Sequence, residues 1–529
     1  MKTLKYIIGV LVLAAGMSSC VGDLNVTPLD PALNTADKAL TTEEDYFALL
    51  SQCYTGFATS GFKGPNGDNA ISGVDGGFSQ YFRGRYHLNG LTTDEAVCGW
   101  NDQTLQDLHG LNWTTSDVFV AAFYYRIAYQ ISAMNEFIRQ ANNATIDLPK
   151  KAQWIAEARA LRAFCWLDAI DNFGGFPYAD ETNSVGSTAP EYIDRANLFN
   201  YIESECKDLL EGSDLYDYAK GEYGRVNKGM VAMVLAKLYL NAEVYVGKAM
   251  YKECAEVLNK LTGYSLHTTP HGAGTNAYQE LFLADNDKCT DELIFVIQQN
   301  GSKTASYGAT NYLIFAATGG GMDPASVGIS SGWGGIRTTP EFYEMFDAAD
   351  QRELFYEDGQ TLSIEDISSF TNGMAFQKFK NVCSDLETVP EATFDEKEGK
   401  WSMPGFVSVD FPVFRYADAL LMLAECELNG VSCGGKAAFD AVRARAGMPA
   451  IDLTEENLLA ERGRELYLEG WRRSDLVRFG KFTSDSFVWQ WKGGVKDGQG
   501  CSEHMTLFPI PDSDRYANTN LVQNPDYGA

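Results

Sequence analysis

The chain has 529 residues, 45% hydrophobic and 21% charged, which is enough apolar material for large cores and excludes a disordered chain. Its 42 Lys and Arg stand against 71 Asp and Glu, and the resulting net charge of -29 repels phosphate backbones, so nucleic acid is excluded as a partner. Aromatic residues make up 12% of the chain, more rings than packing alone needs, so some are expected to serve as binding surface.

Lys2 and Lys5 precede an apolar run from Ile7 to Ala15. That run is too short to cross a bilayer and suits the core of a secretory signal. The residues Met17, Ser18, Ser19 and Cys20 that follow resemble a bacterial lipobox, which ends in the cysteine that receives lipid. Residues 1–19 are therefore expected to be a cleaved signal peptide, and residues 20–31 a lipidated Cys20 with an extended tether containing Pro28 and Pro31. Two or more acyl chains hold a protein firmly on a membrane where one does not. Loss of Lys2 and Lys5 takes the net charge from -29 to -31.

From residue 32 to 529 the chain reads as one domain. Phe119, Phe123, Ile127, Ile131, Met134 and Ile138 recur at steps of three and four, which places them on one face of a long helix within Ser116 to Ala141. After Pro149 a second stripe, Trp154, Ala158, Leu161, Cys165 and Ala169, runs to Gly174 and Gly175, so the two helices form a hairpin. Further stripes are Leu198 to Leu209, Val231 to Tyr245, Met250 to Leu261, Phe414 to Leu428 and Phe439 to Ala446. Thr454 is an N-cap for a last helix, with Glu455 and Glu456 where the helix dipole favours negative charge. Alanines at 156, 158, 160 and 163 permit close helix approach. The expected fold is mostly α, a stack of antiparallel helical hairpins carrying long irregular ligand-binding loops with little β.

Two loop insertions, at about 56–115 and 263–410, resist the helical pattern. The first holds eleven glycines between Gly56 and Gly110. Loops this long in a compact protein are usually functional. A short strand signal spans Glu292 to Gln298, but no βαβ alternation follows, which disfavours a doubly wound enzyme. Ten cysteines remain after Cys20 and show no Cys-x-x-Cys; most are expected as buried thiols, with one or two disulfides left open. The five histidines lack a Glu-flanked metalloprotease spacing, so no catalytic zinc is expected.

Five segments carry a family resemblance. They are Gly224 to Leu240 (GRVNKGMVAMVLAKLYL), Arg415 to Glu427 (RYADALLMLAECE), Val442 to Pro449 (VRARAGMP), Glu461 to Gly480, and Leu507 to Pro511 (LFPIP) with Gln523-Asn524-Pro525 near the end. In this order, with the lipobox, they resemble the SusD/RagB family of outer-membrane nutrient-binding lipoproteins over essentially the whole chain. Gly463 departs from the arginine usual there, and Asp526 from the usual glycine. The resemblance implies four tetratricopeptide-like helix pairs and no catalysis. It also implies a SusC-like TonB-dependent transporter as partner, over which the lipid-anchored protein sits at the cell surface, delivering captured oligosaccharides or polysaccharides. A peptide receptor of the same family is the alternative ligand class; a surface glycoside hydrolase is the alternative function class.

A sugar ring has an apolar C–H face edged by hydroxyls, so its site needs a flat ring beside amide and carboxylate groups. Trp100, preceded by Gly99 and followed by Asn101, Asp102 and Gln103, supplies that inside the first insertion. Trp333, between Gly332 and Gly334, is the second platform, with Tyr307 and Tyr312 nearby; Asp75 and Arg83 could bond hydroxyls. For each of these residues the alternative is ordinary packing or a solvated surface. With such an acidic chain a neutral glycan is expected, unless Arg83, Arg85 and Arg337 act locally. Gly328-Ile329-Ser330-Ser331-Gly332 matches a nucleophile elbow but lacks the flanking strand and helix, and reads as a loop. Asp285, Asp287 and Asp291 could hold a structural calcium or simply form a solvated turn; no other cofactor is expected.

Overall fold

The computed structural model describes residues 39–65, 67–183 and 189–528. The signal peptide, Cys20 and the tether lie outside the described residues. The first helix, α1 (Glu43–Ala58), starts at a capping box in which Thr42 accepts from Asp45 N and Asp45 accepts from Thr42 N. After two short helices in the first insertion, α2 (Tyr81–Asn89) and α3 (Gln103–His109), comes the expected hairpin of α4 (Val118–Asn142) and α5 (Lys151–Phe173). Asp117 caps α4 by accepting from Phe119 N and Val120 N, and all six residues of the expected stripe are buried. Gly174, at φ +72°, ends α5 in a backbone conformation that favours glycine.

Next follow α6 (Arg195–Glu211), α7 (Lys228–Leu240) and α8 (Tyr251–Leu258). Every residue of α7 from Gly229 to Leu240 is buried, as befits a helix that is apolar all round but for Lys237, which pairs with Asp418 at 2.7 Å. Beyond α9 (Ala309–Ala317) in the second insertion come α10 (Tyr416–Leu428), α11 (Gly435–Arg445), α12 (Glu455–Leu466) and α13 (Arg472–Arg478). Thr454 caps α12 by accepting from Asn457 N, as expected. Helices α4 to α8, then α10 and α11, each pack on the next, so the mostly helical stack stands as one scaffold.

Three expectations need correction. The stripe from Val231 to Tyr245 is two helices, because Asn241 turns its amide back onto Lys237 O and also accepts from Arg478, which ends α7. Phe414 belongs to a strand, and α10 starts only at Tyr416. The insertions are more ordered than their glycines suggest. Helix α2 is buried at every position, with Arg83, Arg85, His87 and Asn89 turned inward, so it shows no amphipathic pattern to read.

The strands that join the insertions to each other and to the stack are β1 (Val97–Cys98), β2 (Leu293–Ile297), β3 (Ile336–Thr338), β4 (Phe355–Tyr356), β5 (Met374–Phe376) and β6 (Phe411–Arg415). They form an antiparallel sheet in the order β1-β3-β5-β4 and an antiparallel pair of β2 with β6. The Glu292 to Gln298 signal is thus a strand, and it brings the second insertion onto the start of α10. The ten described cysteines are all free, seven of them buried.

At the junction of β2, β6, α11 and α12 lies a buried ion-pair network. Arg415 bonds Glu292 at 2.7 Å, Glu465 at 2.9 Å and Glu469 at 2.7 Å; Arg445 bonds Glu292 at 2.8 Å and also Glu465. Arg352 reaches Glu461 at 2.6 Å, Glu465 at 3.2 Å and Asp350 at 2.8 Å, while Arg443 and Arg464 also grip Glu461. Lys378 pairs with Glu469 at 2.8 Å. Burial pushes the Glu465 carboxyl up, but Arg445, Arg415 and Arg352 overcome it and hold it well below the usual glutamate range. Glu461 is held down in the same way, by Arg352 and Arg464 against its own burial.

Removing one charge from such a network strands its partners away from water. Glu465→Gln is expected to cost about 3 kcal/mol or more in denaturant unfolding. Glu398→Gln, whose Lys400 partner is exposed, is expected to change stability by well under about 1 kcal/mol. A carboxyl depressed in the folded state stabilises above its unfolded value, 4.5 for Glu465, and that stability fades as pH falls toward the folded value. The wild-type melting temperature should therefore drop on acidification below about pH 4.5. The Glu465→Gln protein should show a shallower drop.

Candidate functional site: an aromatic face held by glycines

Strand pairing brings the two insertions together. Val97 faces Arg337 and Cys98 faces Ile336 across β1 and β3, and Gly99 N continues the ladder onto Gly335 O at 3.0 Å. That register sets Trp100, one residue after the ladder, beside Trp333, two residues before its other end. The indole Nε1 of Trp100 donates to Trp333 O at 3.1 Å. Trp333 N, Gly334 N and Gly335 N in turn donate to Phe315 O, Thr318 O and Ala316 O. Two of these acceptors are carbonyls in the last turn of α9, which a helix end otherwise leaves unpaired. Glycine is required at 335, since a Cβ there would stand 2.7 Å from the Trp100 ring.

The rings are half-buried and tilted rather than coplanar. Trp100 and Trp333 lie 6.3 Å apart at 51°, and Tyr307 meets Trp333 at 5.8 Å edge to face. Phe315 backs Trp333 at 4.9 Å, and Tyr312 backs Trp100 at 6.1 Å. Tyr312 is fully buried, so it supports the indoles from below instead of facing a ligand. Arg83 is likewise inside: its guanidinium stacks 4.5 Å over Tyr312 and donates to Gly77 O and Tyr307 O. Burial pulls the Arg83 guanidinium down, opposed by Tyr312, Cys98, Asp102 and Asp75. Asp75 is exposed and accepts from Gly77 N at 2.6 Å, which fixes the turn that Arg83 grips.

Asn101, Asp102 and Gln103 are exposed at the start of α3. Asp102 stands at its N-cap position without a side-chain cap bond, Asn101 accepts from Gln106, and Gln103 donates to Asp107. The segment leading to Trp100 is anchored deep in the scaffold. Arg472 forms a two-pronged bond to Asp94, at 2.8 and 2.6 Å, and Leu468 N donates to Glu95. Gly463 makes room for this: a Cβ there would meet Arg472 Nη1 at 3.0 Å.

Phe406 extends the aromatic run beyond the expected residues, 5.6 Å from Tyr307. It follows Pro404 and Gly405, the same breaker-then-ring signal that marks Trp100 and Trp333. Arg85 and Arg337, named above as local attractors for a polyanion, are buried: Arg85 pairs with Asp168 at 3.0 Å, and Arg337 donates to the carbonyls of Gly335, Ile367, Ser369 and Asn372. Ser330 follows a 3-10 turn and is not flanked by the strand and helix of a nucleophile elbow. Asp285 spends its oxygens on Ser384 and Lys288. A cleft of about 1020 Å³ between Tyr129, Glu136, Tyr178 and Pro190 shares no residue with the aromatic cluster.

The arrangement offers a run of half-buried rings, Trp100, Trp333, Tyr307 and Phe406, with the exposed Asn101, Asp102 and Gln103 next in sequence to the first. Comparison with known proteins gives consistent relatives. The SusD family model matches residues 372–527. The starch-binding protein SusD of Bacteroides thetaiotaomicron is 30% identical, with 98% of this chain and 97% of that protein covered. SusD-like protein P2 of Formosa agariphila is 24% identical over 81% of this chain and 83% of its own length. Among solved structures, surface glycan-binding protein A from Bacteroides thetaiotaomicron, in complex with laminarihexaose, has a TM-score of 0.68 at 19% identity, covering 92% of this chain and all of that one. With a relative this similar along nearly the full length of both chains, the chain belongs to the SusD family.

Proposed function

We propose that the protein is a cell-surface glycan-binding lipoprotein that captures neutral oligosaccharides or polysaccharides on this run of rings. It passes them uncleaved to a SusC-like TonB-dependent transporter in the outer membrane. The observation that carries this reading is the run of half-exposed rings, Trp100, Trp333 and Tyr307, held in glycine-bounded segments and edged by exposed amide and carboxylate groups. An open face admits a chain that extends past both ends of the site, which a closed pocket does not. The relatives support the ligand class, since one is named for starch binding and another was solved with laminarihexaose. No described helix is long and apolar enough to cross a membrane, and an acylated Cys20 would supply the attachment.

Trp100→Ala and Trp333→Ala are each expected to weaken oligosaccharide binding by about thirty-fold, the equivalent of about 2 kcal/mol, in calorimetric titration with starch and laminarin fragments. Stability should fall by less than the roughly 3 to 5 kcal/mol typical of a core tryptophan. Gly335→Ala removes no ring atom yet pushes the Trp100 ring aside, and should weaken binding as well. Normal affinity in the single variants would place recognition elsewhere.

Long incubation with the bound polysaccharide should yield no shortened products, and an acidic polysaccharide should bind more weakly than a neutral one. Release of new chain ends, or tight salt-sensitive binding of the acidic polymer, would contradict the reading. Finally, Cys20→Ala should release the protein from the membrane fraction without altering its affinity for glycan. Retention of that variant would overturn the anchor.

A further inference from the structure

Four metal-ligating side chains converge away from the aromatic face. His267 and His271 lie in the loop after α8, Glu280 ends the short helix Ala277–Glu280, and Cys289 follows the 3-10 turn Asn286–Lys288 just before β2. A ligand atom of each lies within 4.8 Å of those of the other three. The two imidazoles stand 5.0 Å apart. His267, Glu280 and Cys289 are buried and His271 is exposed, so the cluster has one side open to solvent. Pro270 between the histidines bars the helix on which a four-residue spacing would align them; the loop aligns them instead.

We propose that His267, His271, Glu280 and Cys289 form a structural zinc site that ties together the first part of the second insertion, just ahead of β2. Two imidazoles, one thiolate and one carboxylate make the nitrogen, sulfur and oxygen set that Zn²⁺ takes in tetrahedral sites, whereas calcium needs six or more oxygens. Bond lengths of about 2.0 to 2.3 Å give a tetrahedron with edges of about 3.3 to 3.8 Å, so the widest separation, up to 4.8 Å, closes by about 1 to 1.5 Å on binding. The exposed His271 can supply most of that movement.

The groups around the ligands are already arranged. Both oxygens of Asp291 lie 3.2 Å from His267 Nδ1, so that nitrogen keeps its hydrogen and Nε2 is left to face Glu280 at 3.1 Å. This is the carboxylate–histidine pairing that orients metal-bound imidazoles. Glu280 is held by Gly272 N, Thr275 Oγ1 and His271 N, and His267 N donates to Glu292, a member of the buried network. Zinc would sit between His267 Nε2 and Glu280 and take the place of the thiol proton of Cys289, which leaves to solvent. One thiolate and one carboxylate then neutralise the ion, so no net charge is buried.

The test uses the full mature chain, stripped with a chelator and titrated with zinc or cobalt salts. One equivalent of Zn²⁺ is expected to bind and raise the melting temperature by several degrees. Co²⁺ should give tetrahedral absorption bands with a sulfur-to-cobalt transition that Cys289→Ser abolishes. His271→Ala changes only an exposed side chain, so it should fold normally while weakening Zn²⁺ at least about ten-fold. The proposal fails if the stripped protein takes up no zinc, or if Ca²⁺ stabilises it as well as Zn²⁺. Zinc binding that is unchanged in both variants would also overturn it.

Discussion

Most of this architecture depends on charges that have been taken out of water. Arg415, Arg445 and Arg352 share Glu292, Glu465 and Glu461, and these residues come from β6, α11, the second insertion and α12. A buried guanidinium is tolerable only when carboxylates pair with it, and pairing these three demands that all four stretches be in place together. The network therefore penalises any partly assembled arrangement. It holds a strand of the second insertion on the helical stack more specifically than apolar packing could.

The aromatic face inherits its rigidity from this base. Lys378 links the network through Glu469, Arg85 donates to Glu469 O, and Leu468 N holds Glu95 only five residues before Trp100. From the other side, the glycine run after Trp333 pairs with the end of α9. Both indoles are thus placed before a ligand arrives. Preorganised rings lose little conformational freedom on binding, which suits the role proposed for them. The long loop that carries Trp100 is tied at both ends to buried elements.

The two tryptophans stand out in the sequence because each interrupts a glycine-rich, non-periodic stretch, and the structure brings them together half-buried against the core. The same reasoning picked Tyr312 and Arg83, which turn out to support the rings from inside. Exposure is the missing quantity. Whether a side chain lies above or below a surface depends on segments hundreds of residues away, such as the approach of Tyr307 to Arg83. Helix α2 escaped for the opposite reason, since burial on every side erases the alternation on which pattern reading relies.

Periodicity and capping alone determined the helical stack, because an amphipathic stripe and a capping side chain act within a few residues of each other. The stripe of α4 and the Thr454 cap are read from local spacing and stand in the structure as read. The resemblance of the arginine- and glutamate-bearing segments near the C-terminus extended that reading to the family. Only the tertiary structure decided what those charges do, which rings face outward, and that His267, His271, Glu280 and Cys289 meet. Such facts rest on contacts between distant segments, and side-chain chemistry names the candidates for a contact without saying which of them the folded backbone brings within reach.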